Sequence, residues 1–432
     1  MSTIWQKDFC LPEFPSLKSD IKTDVLVIGG GMAGILTAFT LKQNGVDCVL
    51  VEKGKIATGT TCGTTAKITY QHGLIFRKIL KQYGKEGAEK FLFSGQLALQ
   101  KYRELSNTID CDFEQKTNYV YSVSDEKILQ DEMAALDVIN HKARLQKNLE
   151  IPVNSVGAVA IDNQAQFNPL KFISGIAKNL HIYENTHIKD IIGTCAYTSK
   201  YKIYAKKIIV TTHFPFLDKH GSYFLKLYQH RSYMVALEKA QMLDGMYVDE
   251  AKRGFSFRNY GDTLLLGGGD HRTGKKGGGL NEVRNFYKAH YPYAKEITHW
   301  AAQDCMSLDE LPYIGHYSKN TPDMLVATGF NKWGMTSSMT AATVLSDLIL
   351  GHKNDYADIF SPTRSILKPQ LLINTAETTL NLIRPTAPRC THLGCALKWN
   401  KDEHSGDCAC HGSRFSGDGT VLNNPANKDL QI

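Results

Sequence analysis

Four of the ten cysteines fall within 21 residues near the end of the chain: Cys390, Cys395, Cys408 and Cys410. Two histidines are interleaved with them, as Cys390-x-His392, then 15 residues, then Cys408-x-x-His411. Thiolate and imidazole are the side chains that hold late first-row metals, so this set can build a metal centre. A zinc site with two Cys and two His draws on the same donors. The other six, Cys10, Cys48, Cys62, Cys111, Cys195 and Cys305, are scattered, which is not the pattern of a disulfide scaffold.

A second group can do different chemistry. Gly29-Gly30-Gly31-Met32-Ala33-Gly34 fits G-x-G-x-x-G. Gly29 permits a tight turn, Gly31 lets backbone approach a pyrophosphate, and Gly34 lets a helix lie close to a strand. Unpaired N–H groups at the helix start then face the phosphates. Glu52 follows Gly34 by 18 residues and can accept hydrogen bonds from an adenosine ribose.

These groups need elements to hold them. DVLVIG at 24–29 is a β-branched run suited to a buried parallel strand. Ala33, Leu36, Phe39 and Leu41 then recur at roughly helical spacing, and Gly45 stands where a helix stops. VDCVLVEKG supplies a second strand ending in Glu52, which completes a βαβ unit. Residues 25–41 are 17 without a charge, short for a membrane span and broken by glycines, so no transmembrane helix is expected. The opening MSTIWQKDFC has neither the basic nor the apolar region of a secretory leader, and a reducing cytoplasm is the expected setting. A chain of 432 residues exceeds one ordinary core. The net charge of +7 is spread without a dense Lys/Arg block, which gives no reason to expect nucleic acid.

With its βαβ unit, the stretch from about 22 to 350 resembles the FAD-dependent D-amino-acid oxidase/glycine oxidase superfamily. The resemblance rests on four further segments: GTTCGTTAKITYQHG, FNPLKFISGIAKNLHIYENTHIKDI, KKIIVTTHF and DMLVATGFNKWGMTSSMTAATVLSDLI. It implies flavin contacts from Lys53, Thr60, Thr61, Thr64, Thr65 and Ala66. It puts Ile188 beside adenine and Thr211 under the nucleotide. It aims a second helix N-terminus at the flavin through Gly329, Lys332, Gly334, Met335 and Thr336, where the dipole favours the charge of reduced flavin. Residues 75–150 read as mainly helical and 222–270 as strands, with Tyr260-Gly261-Asp262-Thr263 a hairpin turn. An antiparallel sheet over the flavin is the family arrangement. It makes Tyr233 and the expected catalytic residues Arg258, His271, Arg272 and Trp333 candidates for the substrate face, an arginine there pairing a carboxylate. A packing role is the commoner fate of an Arg or His in such a hairpin. Leu265 aligns where sarcosine-oxidase-like members have an oxygen-activating lysine, which implies an acceptor other than oxygen. Cys62 and His72 lie in the flavin-side loop, and covalent attachment there stays open.

RCTHLGCALKWNKDEHSGDCACHGSRFSGDG resembles the Rieske [2Fe–2S] motif. The resemblance implies Cys390 and Cys408 on one iron, His392 and His411 on the other, and a disulfide between Cys395 and Cys410. Imidazole ligation raises the potential above that of plant-type ferredoxins. Ser413 matches a donor to a cluster sulfur. Phe415 stands where high-potential members have a tyrosine, so a potential below the respiratory extreme is expected.

The expected fold class is α/β (α+β overall): a Rossmann-type FAD-binding domain, an antiparallel-sheet substrate domain, then a small β-rich Rieske segment. The expected divisions are an arm at 1–21, the oxidoreductase at 22–352, a linker and helix at 353–385, and the cluster segment at 386–432. Within the oxidoreductase, 22–80, 155–215 and 300–352 would bind nucleotide, and 81–154 and 216–299 would form the substrate side. FAD and one Rieske cluster together make a step-down device from two-electron to one-electron chemistry. The expected function is hydride removal from a small amine or amino acid, with single electrons leaving to a carrier protein or quinone-like acceptor. The alternative is a redox carrier loaded by a reductase.

Overall fold

The computed structural model describes residues 2–7, 9–217, 220–385 and 388–431. Strand β1 (Ile21–Ile28), helix α1 (Met32–Gln43) and strand β2 (Cys48–Val51) build the βαβ unit. β1 and β2 pair in parallel with Val25 opposite Cys48. Val25, Leu26, Val27 and Ile28 are all buried, as a strand covered on both faces must be. The sheet runs Tyr313–His316, Met324–Thr328, Lys202–Val210, β1, β2, His181–Tyr183, and only the first of these is antiparallel to its neighbour. At Gly34 a Cβ would stand 1.9 Å from the Gly29 carbonyl oxygen, so only glycine lets α1 start this close to β1.

A nine-stranded sheet lies beside it. Its key strands are β3 (Leu227–Glu238), β4 (Thr263–Arg272) and β5 (Lys295–Ser307). β3 lies between β4 and β5, antiparallel to both, with His230 opposite Arg272 on one side and Asp304 on the other. The expected hairpin forms, with Tyr260 opposite Thr263.

Residues 75–150 are mainly helical, with one longer strand among them. Within 75–150, Phe76–Ser106 and Glu126–Val138 are helices, but Glu114–Ser122 is a strand inside the second sheet. Its Asn-Tyr-Val-Tyr run favours a pleated, buried surface. The second sheet also takes Lys67–Ile68, Gly157–Gln166 and all of β5. Strand pairing therefore crosses the divisions expected at 80, 154 and 300.

Helix α2 (Gly334–Leu350) packs against α1 and helix α3 (Pro369–Ile383) follows it. The chain ends in a four-stranded antiparallel sheet of Leu397–Asn400, Ser405–Cys408, Arg414–Ser416 and Val421–Asn423. Its own apolar core is small and includes Leu397, Phe415 and Ala426. The expected boundary at Thr386 lies outside the described residues.

Candidate active site and metal centre

A cavity of about 1080 Å³ lies between the two large sheets. Gly29, Gly31, Glu52, Lys53, Ile188 and Thr211 line one end. The Glu52 carboxylate accepts from Gly30 N at 2.8 Å and Gly54 N at 2.9 Å, which braces the glycine turn. Gly34 is not on the wall and acts through packing. Thr60, Thr61, Thr64 and Thr65 form a second part of the wall. Thr61 Oγ1 accepts from Met32 N at 3.0 Å and ties this loop to the start of α1. Ala66 lies behind it, off the wall.

Gly329, Lys332, Trp333, Gly334 and Met335 close the cavity from the side of α2. Thr336 turns away, its hydroxyl donating to Thr69 O at 2.6 Å and accepting from Thr69 N at 3.1 Å. Asn331 and Lys332 both sit in the left-handed region, at φ +50° and +72°. Asn331 Oδ1 accepts from Ser307 N at 2.8 Å and holds the strained pair in place. The strain presents Lys332 and Trp333 to the cavity. Trp333 stacks on His72 at a centroid distance of 5.1 Å, with the rings 4° apart. Burial pushes His72 down to about 3, so its ring is neutral. Its Nε2 is buried without a hydrogen-bond partner. Cys62 faces Thr3 instead, with its sulfur 3.1 Å from the hydroxyl.

Three of the four expected catalytic side chains are off the cavity wall. Arg258 is buried, and its guanidinium donates to the carbonyls of Thr65 at 2.7 Å and Ala66 at 3.2 Å. Trp5, from the N-terminal arm, covers its other face with Arg258 Cζ 5.4 Å above the ring. His271 is stacked on Tyr233, whose hydroxyl donates to Glu403 at 3.2 Å in the cluster segment. Arg272 grips the cluster loop, donating to Ala409 O and Cys410 O, both at 3.0 Å. No arginine lines the cavity among the described residues. Leu265 is in the core, whereas Lys67 and Lys332 are on the wall, so residue 265 says nothing about oxygen.

Further polar groups on the chamber wall come from β3, β4 and β5. Ser232 stands between two carboxylates, hydrogen-bonded to Asp270 and 3.4 Å from Asp304. Lys332 Nζ pairs with Asp270 at 2.9 Å. Asp304 is on the cavity wall; burial, partly offset by Lys332, raises its carboxyl to about 6. Burial and then the charge of Lys332 push His230 down to about 3. Lys67 is pushed down to about 7, by burial first and then by Arg258. Asp270 and Asp304 lie 34 residues apart in sequence, and only their common neighbour β3 brings them together.

The cluster segment closes on the same cavity, with Asn424 and Asn427 on its wall. Asn424 Nδ2 donates to Thr212 O at 2.7 Å and Phe214 O at 2.6 Å. Cys390 and Cys408 are buried partners: the Cys408 thiol holds Cys390 low, and Cys408 is itself pushed up. The rings of His392 and His411 are 5.0 Å apart. His411 Nδ1 is buried with no hydrogen-bond partner, as a nitrogen reserved for a metal would be. Cys395 and Cys410 form the disulfide. Ser413 is fully buried beside Cys390 and helps hold its thiol low. Two thiols and two imidazoles, closed over by a disulfide and a hydroxyl, fit a [2Fe–2S] cluster.

Site and cluster are joined by polar contacts. His213 has Nδ1 3.4 Å from Thr60 Oγ1 and Nε2 3.2 Å from Gln229 Oε1. Gln229 Nε2 donates to His411 O at 2.8 Å and to Asn424 O at 2.9 Å. Its Oε1 is therefore an acceptor, and His213 Nε2 carries the proton. Gln303 Nε2 donates to Gly412 O at 2.8 Å. At Gly412, φ is +83° and a Cβ would lie 2.5 Å from Gln229 Cβ, so glycine is needed for this approach. Arg231 forms a bidentate pair with Glu403, and Arg414 joins it to Asp407.

Comparison with known proteins agrees with this geometry. Residues 24–348 match the FAD dependent oxidoreductase (DAO) family and 358–432 match the Rieske [2Fe-2S] domain. The Bacillus subtilis protein YhfW, which carries the name of a Rieske 2Fe-2S iron-sulfur protein, is 32% identical, over 99% of this chain and 97% of that one. The cytochrome b6-f complex iron-sulfur subunit 3 of a Nostoc species is 42% identical over 65 residues, 15% of this chain and 36% of that subunit. Glycine oxidase from Geobacillus kaustophilus shares the fold, with a TM-score of 0.66, 18% identity, and coverage of 80% of this chain and 99% of that one. Among the described residues, no helix is long and apolar enough to cross a membrane. The chain belongs to the DAO family of FAD-dependent oxidoreductases, carries a C-terminal Rieske domain, and binds FAD and a [2Fe–2S] cluster.

Proposed function

We propose that this oxidoreductase takes a hydride from a small amine and passes the electrons singly to an external acceptor, a carrier protein or a quinone-like molecule. FAD supplies two-electron chemistry and the cluster one-electron chemistry. The observation that carries the amine reading is the pair of carboxylates that β4 and β5 bring to the chamber. Asp270 and Asp304 face it from the two strands that flank β3, and among the described residues no arginine lines the wall. A substrate ammonium group can pair with Asp304, since Asp270 already holds Lys332. Asp304, with its carboxyl raised to about 6, is ionised at neutral pH and can take the proton that an amine must lose. Lys332 pairs with Asp270 and orients it. The neutral His72–Trp333 stack gives the chamber a flat apolar floor. Cys10, Cys48, Cys62, Cys111, Cys195 and Cys305 stay free thiols, which suits the reducing cytoplasm that the reading includes.

The test is anaerobic mixing of the holoprotein with matched amines and α-amino acids, following flavin absorbance. Bleaching by amines, faster than by the matching amino acids, supports the reading. If no amine bleaches the flavin and a reduced carrier does, the chain is a carrier.

A further inference from the structure

Helix α3 is amphipathic in the wrong sense. Asn374 and Asn381 are 4% and 3% exposed, while Leu372, Leu380 and Ile383 are 75%, 61% and 70% exposed. The polar face is held inward by specific contacts. Asn374 Oδ1 accepts from Arg272 at 2.9 Å, Glu377 pairs with Lys275, and Asn381 O accepts from Ala396 N at 2.9 Å. The outward face carries Leu372, Ala376, Leu380 and Ile383 at spacings of four, four and three, with Ile373 beside them. Leu367 extends the apolar strip before the helix at 83% exposure. Burying apolar surface is the usual reason for an amphipathic helix to pack. Here the hydrophobic face is left over, and it exceeds the scattered apolar exposure of ordinary surfaces.

We infer that this face lies on the surface of an anionic phospholipid bilayer. Three observations favour that occupant. First, the only acid between Ile366 and Gly394 is Glu377, which is turned inward and paired, while Lys368, Arg384 and Arg389 flank the strip. An apolar stripe with a basic border is the composition of an interfacial helix. Second, a second copy of the chain would set the same basic border against itself. Third, the large exposed apolar side chains of the helix are all aliphatic, without the aromatic anchors that dominate protein interfaces. A helix of 15 residues is ~22 Å long, enough to lie along the interface and too short to span it. α3 is tied through Arg272 to the Cys408–Cys410 loop and through Asn381 to the Cys395 loop, so docking brings the cluster to the bilayer surface. The docking is independent of the amine reading.

The experiment is co-sedimentation of the full-length holoprotein with vesicles of phosphatidylcholine containing one-third phosphatidylglycerol, against pure phosphatidylcholine. The protein is expected to pellet with the anionic vesicles and to be released by salt. Leu372→Asn/Leu380→Asn should lower partitioning about tenfold or more, as should Lys368→Glu/Arg384→Glu. Both pairs are surface changes, and unchanged flavin and cluster absorbance checks that the variants are folded. Failure to bind anionic vesicles, or binding that the variants leave unchanged, overturns the inference. So does a dimer in solution that the leucine variant converts to monomer while vesicles are ignored, because a second copy would then cover the face.

Discussion

Gln229 on β3 donates from Nε2 to the carbonyl of the cluster ligand His411 at 2.8 Å. The amide is fully enclosed and also serves Asn424 O, so one side chain of the nine-stranded sheet holds two points of the cluster segment. Gln229→Leu keeps the volume and strands both carbonyls, each at a cost of ~1–3 kcal/mol. The expected result is a lower unfolding midpoint and faster amide exchange over residues 405–426 than over β1. Equal exchange in variant and parent would show that Gln229 holds nothing.

The pair Arg231–Glu403 makes the same joint sensitive to acid. Burial alone would raise the Glu403 carboxyl, but the charges of Arg231 and Arg414 outweigh it and hold the group below its ordinary range. A carboxyl lowered in the folded protein contributes its stability above its unfolded value of ~4.3 and loses it as pH falls through the lower folded value. The cluster segment should therefore loosen at acid pH, seen as cluster bleaching before flavin release. Arg231→Met should move that loss to higher pH and destabilise by ~3–5 kcal/mol in denaturant melts.

Asp304 gives a kinetic prediction. With its carboxyl at about 6, flavin reduction by an amine should rise with pH through a limb near that value. Asp304→Asn should remove the limb and slow reduction by ~10²–10⁴-fold in anaerobic stopped flow. A variant that keeps both rate and limb leaves Asp304 with no proton to move.

Cys408→Ser should abolish the Rieske paramagnetic signal of dithionite-reduced protein and leave FAD bound, since the glycine loop and Glu52 hold their shape without the cluster. Loss of flavin in the same variant would mean that Asn424 and Asn427 on the cavity wall matter more than the modular arrangement implies.

The parts legible in the sequence are local. The glycine turn, its helix and Glu52 lie within 24 residues, and the cluster donors within 22, so spacing alone brings each set together. The chamber between the sheets is not local. Arg258 and Arg272 read as carboxylate anchors because strand position does not say what covers a side chain. Trp5 covers Arg258 from over 250 residues away, and the cluster segment covers Arg272. His271 follows Asp270, and strand alternation turns successive side chains to opposite faces, so Asp270 reaches the chamber and His271 does not. Asp304 carries no motif; the pairing of β5 with β3 makes it a neighbour of Asp270. The helix at 369–383 was legible as a helix, but which face it buries depended on Arg272 and Lys275, which the sequence places about a hundred residues earlier.

The most direct test of the account mixes holoprotein with a reactive amine without oxygen, freezes samples over time, and records flavin absorbance and the cluster's paramagnetic signal together. Flavin bleaching is expected, followed by growth of the reduced Rieske signal, with the second step lost in Cys408→Ser. A bleached flavin beside a cluster that stays oxidised would contradict it.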